Sequence, residues 1–94
     1  MIEQLSEIKK IIERGDAETA IDMLSALINN TENEEYKDEA YYLLGNIYRK
    51  MGNWQLALNN YLEAISLNPD SPAVHARDML MDILNFYNKD MYNQ

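Results

Sequence analysis

The sequence predicts an all-α fold of antiparallel helix hairpins, about five helices in one domain, and three observations predict it. Apolar residues recur at helical spacing in five segments. Short breaks of turn-forming residues separate the segments, and helices joined so closely must run antiparallel. Displacing the chain by thirty-seven residues lays Gly15 on Gly52, Ala20 on Ala57, Ile21 on Leu58, Leu24 on Tyr61 and Ile28 on Ile65. One hairpin is therefore present twice, which is the mark of a solenoid. No strand pattern competes anywhere.

The first helix is expected from about Ile2 to Arg14, on Ile2, Leu5, Ile8, Ile11 and Ile12. Gly15 stops it by taking the left-handed conformation, and Asp16 caps the next, about Ala17 to Asn29. Thr31 and Glu34 have the spacing of a capping box, so a third helix is expected from near Glu32 to about Lys50. Gly52 ends it, and Asn53 caps a fourth from Trp54 to Leu67. Asn68-Pro69-Asp70 reads as a turn, because the residue before a proline avoids the helical region. Ser71 then Pro72 is a fresh start, a capping hydroxyl followed by a proline at the first helical position. The fifth helix is expected to reach about Tyr87, with a frayed tail from 89 to 94.

Within the second hairpin stand Tyr41-x-x-Leu44-Gly45-x-x-Tyr48, then Ala57-x-x-x-Tyr61, Ala64 and Pro69. Gly45 and Ala57 remove bulk where two helices cross, while Leu44, Tyr48 and Tyr61 fill the space around the crossing. This run, over residues 38 to 71, resembles the tetratricopeptide repeat, with Tyr for Trp and Tyr for Phe as the departures. Residues 1–37 resemble a degenerate first repeat, with Gln4, Glu7 and Ile8 in place of Tyr41, Leu44 and Gly45. Residues 72–88 resemble the capping helix of such arrays, since Asp78-Met79 replaces the Leu-Gly step. The resemblance implies an α-solenoid of two repeats and a cap.

Composition narrows the function. Sixteen acids against eight bases leave a net charge of −8, which nucleic acid and anionic membranes would repel. The acids Glu32, Glu34, Glu35, Asp38 and Glu39 lack the spaced Asp/Asn pattern and central Gly of a calcium loop and read as a solvated face. No cysteine is present, His75 is the single histidine, and no Gly-rich phosphate loop or serine elbow occurs. No catalytic, metal or cofactor site is expected. The lack of cysteine and of a signal-peptide core suits a reducing, cytoplasmic setting. Trp54 and the methionines read as packing residues.

The expected function is that of a protein-interaction module. The resemblance implies that the first helices of successive hairpins line a concave groove for an extended peptide. On the third helix, Tyr42, Asn46 and Arg49 form one stripe, and register adds Lys9 and Arg77 from the neighbouring inner helices. Those bases with Asn46 suit a carboxylate or acidic peptide, although solvated residues on an inner surface give the same pattern. The chaperone-tail carboxylate clamp of the family is not expected, because its places hold Leu5, Lys9, Leu43, Ala73 and Arg77, and only Arg77 matches. Val74 and Met81 lie away from the core stripe of the fifth helix and mark a possible homodimer contact. A self-associating scaffold, or an accessory to an enzyme on another chain, are the rival readings.

Overall fold

The structure, a computed structural model, describes residues 2–92, with side chains described for 3–30, 32 and 34–86. Five helices follow one another: α1 (Ile2–Glu13), α2 (Ala17–Asn29), α3 (Lys37–Lys50), α4 (Trp54–Leu67) and α5 (Ala73–Tyr92). No strand occurs among the described residues.

The thirty-seven-residue period is a period of cap chemistry as well as of apolar residues. Gly15 and Gly52 adopt φ of +86° and +82°, open to glycine at no steric cost. Gly15 N–H donates to the Ile12 carbonyl at 2.9 Å and Asp16 N–H to that of Ile11 at 3.3 Å. Gly52 and Asn53 repeat the pair, to Arg49 at 3.0 Å and Tyr48 at 2.9 Å. Both α1 and α3 thus end in the same Schellman arrangement, which satisfies their last carbonyls. The residue after each glycine then caps the next helix. Asp16 Oδ1 accepts from Thr19 N–H at 3.2 Å, and Asn53 Oδ1 from Leu56 N–H at 3.3 Å.

Between α2 and α3 the expectation fails. Residues Thr31–Tyr36 wind as a 3₁₀ segment, and the α-helix begins only at Lys37. The cap belongs to Asn30, one residue early, whose Oδ1 accepts from Glu32 N–H at 3.0 Å. With that donor satisfied in advance, the tighter winding carries Tyr36 down against the core of the first hairpin. At the other end, α5 continues past Tyr87 to Tyr92, because no Gly or Pro interrupts it. Residues 93 and 94 of the expected frayed tail, and the side chain of Tyr87, lie outside the described residues.

Two clusters make the core. Leu5 and Ile8 of α1, Ala20, Leu24 and Leu27 of α2, and Ala40, Leu44 and Ile47 of α3 form the first. Ala57, Tyr61 and Ala64 of α4 with Ala73 and Leu80 of α5 form the second, flanked by Tyr41 and Tyr42. Tyr48 packs against both. Trp54 departs from the core-packing role expected of it: it is 38% exposed, at the first residue of α4 and three residues ahead of the buried Ala57. Asn68 ties the ends of the second hairpin, its Nδ2 donating to Asp38 Oδ2 at 3.0 Å. Ser71 Oγ accepts from Ala73 N–H at 3.0 Å and so starts α5.

Candidate partner-binding site

Tyr42, Asn46 and Arg49 are spaced four and three residues apart on α3, which sets them on one face of the helix. What holds them in place comes from α4. The Tyr61 ring is fully buried, but its hydroxyl reaches the edge of the core and meets α3 there. It donates to Asn46 Oδ1 at 2.6 Å and accepts from Arg49 Nε at 3.2 Å. Burial pushes the phenol above the usual tyrosine value, against a smaller opposing pull from Arg49, so it remains a neutral donor. The Tyr42 ring stands 6.2 Å from that of Tyr61, tilted by 39°, within the range of favourable aromatic pairs. Two polar side chains are thus fixed on a surface where free rotation would be the default.

Asn46 and Arg49 form a ridge with a hollow on each side. Toward α5 a groove of about 230 Å³ opens between Tyr42 and the ridge on one wall and His75, Ala76, Met79, Leu80 and Ile83 on the other. Toward the first hairpin a larger groove of about 470 Å³ lies between the α1–α2 turn and the C-terminal half of α3. Ile12, Ala17, Leu43, Ile47 and Met51 supply its apolar lining, and Lys50 joins Arg49 at its border.

The other bases expected at the groove are elsewhere. Lys9 Nζ is 2.7 Å from Glu39 Oε1, and Arg77 turns to its neighbour Asp78 at 3.0 Å. Neither lines a groove with the ridge. Lys37 is paired with Glu34 at 2.8 Å. Val74 is half-buried, and Met81 is exposed. Asp78 stands between them on the same face, its carboxylate 61% exposed, so the apolar stripe is interrupted.

Four contributors are not evident from the sequence alone. Tyr61 fills the helix crossing as its spacing predicts, and tyrosine in a place that phenylalanine would fill is the sequence signal for its hydroxyl. His75, a single histidine with no second metal ligand to suggest a role, stands in the wall of the smaller groove. Met51 and Met79, read as filler, are 60% and 51% exposed and each lines a groove. Among the described residues, no three His, Asp or Glu side chains are grouped to hold a metal ion. Nor is any helix among them long and apolar enough to cross a membrane.

Comparison with known proteins agrees with this architecture. The model of the tetratricopeptide repeat family matches residues 38–71. The solution structure of Bacteroides fragilis protein BF1650 is similar over 97% of this chain and 90% of its own, at 62% identity and a TM-score of 0.82. None of the curated proteins matches the chain.

Proposed function

We propose that the chain, whose residues 38–71 match the tetratricopeptide repeat, is a non-catalytic protein-interaction module. The partner's polypeptide lies across the inner face of α1, α3 and α5, astride the Asn46–Arg49 ridge. One observation carries the reading. A buried tyrosine hydroxyl fixes two polar side chains between two apolar hollows, so the surface is ordered before any partner arrives. Preorganised polar groups lose little freedom on binding, and apolar hollows supply the driving force. Arg49 keeps its Nη groups for the partner, since Tyr61 engages only Nε, and a guanidinium so placed suits a carboxylate or a backbone carbonyl.

The test is selection of peptides from a random display library on the folded chain, followed by amide-shift mapping of a selected peptide. Shifts are expected at Tyr42, Asn46 and Arg49, and Arg49→Glu should lower affinity about tenfold. A library that yields no ligand, or ligands whose shifts fall only on the outward side of α4, would sink the proposal. Self-association through Val74 and Met81 is the weaker reading, because Asp78 sits in the middle of that surface.

A further inference from the structure

We infer that the larger groove, between the α1–α2 turn and the end of α3, takes an apolar side chain of the partner from a segment whose flanking residues are acidic. This rests on the interaction-module reading and adds the partner's chemistry to it. Leu43, Ile47 and Ile12 give the hollow its apolar character, and its volume of about 470 Å³ falls in the range of sites that hold ligands. Met51 closes one side while 60% exposed, and an unbranched thioether can reshape itself around whatever enters.

Charge specifies what flanks the anchor. The chain carries sixteen carboxylate side chains, yet none lines this groove, whereas Arg49 and Lys50 both do. Lys9, Lys37 and Arg77 each sit in an ion pair, but Arg49 and Lys50 have no carboxylate partner among the described residues. Bases in the last turn of α3 complement its dipole, which accounts for their presence there. It does not account for the apolar hollow beside them. A protein of net charge −8 repels an acidic segment over most of its surface, so this edge is where such a segment docks, and the repulsion elsewhere sets its register. A nucleic acid would meet the same two bases but has nothing to place in the hollow.

The same library selection tests the inference by the composition of the winners. Selected peptides should share a Leu, Ile, Met or Phe with Asp or Glu close to it. Their binding should shift the amides of Gly15, Ile47 and Met51 and weaken as salt rises. Lys50→Glu and Met51→Asp, both at exposed positions, should each lower affinity about tenfold while the helical circular-dichroism spectrum stays unchanged. Ligands without acidic enrichment, or ligands seated wholly between α3 and α5, would overturn this inference and leave the interaction module standing. A selection that retains nothing would remove both.

Discussion

Gly45 lies against the face of Tyr61, so close that a Cβ on Gly45 would fall 2.5 Å from the ring's Cδ1. The first hairpin solves the same crossing differently. There Ile8 stands in the place of Gly45 and Leu24 in the place of Tyr61, and all three of Ile8, Leu24 and Tyr61 are fully buried. Bulk has moved from one helix to the other while the crossing remains filled.

Gly45→Ala should therefore destabilise the chain by about 1–3 kcal/mol, because the ring is held by packing and cannot retreat. Combining it with Tyr61→Leu should cost less than the two separate losses added together, since the pair then approaches the arrangement of Ile8 and Leu24. Urea unfolding of the two single variants and the double variant measures the coupling. Simple additivity would mean that the glycine serves something other than this contact.

Tyr61→Phe keeps the ring and removes only the hydroxyl. Losing its bonds to Asn46 and Arg49 should cost about 0.5–1.5 kcal/mol, toward the low end because both partners can turn to water. The folded-state pKa of Tyr61 is raised above its unfolded value, by burial first. Its contribution is therefore complete below the ordinary tyrosine pKa and is lost as pH rises through the folded value. Wild type should lose stability in alkali more steeply than Tyr61→Phe. Equal slopes would show that the hydroxyl is not held as described.

Asp16 gives the opposite sign. Hydrogen bonds from Thr19, through its side chain and its backbone N–H, hold the carboxyl below the usual carboxylate range. Its contribution is present above the unfolded Asp pKa and disappears as pH falls through the depressed folded value. Asp16→Asn, which retains an acceptor for the Thr19 N–H, should lower stability less than Asp16→Ala at neutral pH and should flatten the acid limb of the stability curve. Thermal unfolding at a series of pH values distinguishes the two variants. An acid limb as steep in Asp16→Asn as in wild type would assign the pH dependence to other carboxylates.

In sedimentation, a single monomer mass is expected over a wide concentration range, because the exposed carboxylate of Asp78 interrupts the Val74–Met81 surface. A dimer that forms with concentration and is abolished by Met81→Glu would restore the self-association reading.

Much of the fold was legible because its punctuation is local. Gly15 with Asp16, and Gly52 with Asn53, each end one helix and begin the next within two residues, and such chemistry can be read without knowing the tertiary structure. The Thr31–Tyr36 segment was not, because Asn30 and Thr31 are both competent caps and packing of Tyr36 decides between the windings. The candidate site was half legible. Tyr42, Asn46 and Arg49 share a stripe by spacing alone, but the hydroxyl that fixes two of them arrives from another helix. Register also placed Lys9 and Arg77 on the inner helices, and nothing in register reveals that Glu39 and Asp78 engage them first.

The position of Tyr48 on both core clusters bears on whether the chain can be divided. α3 belongs to the second hairpin in sequence, yet Ala40, Leu44 and Ile47 complete the interior of the first. Cutting between Asn30 and Lys37 would strip α1 and α2 of a wall and lay an apolar flank of α3 open to water. Sequence repetition therefore does not mark out independent folding units here, and neither half should retain slowly exchanging amides when expressed alone. In the intact chain the slowest exchange should centre on α3, shared between the two interiors, with α1 and α5 opening first.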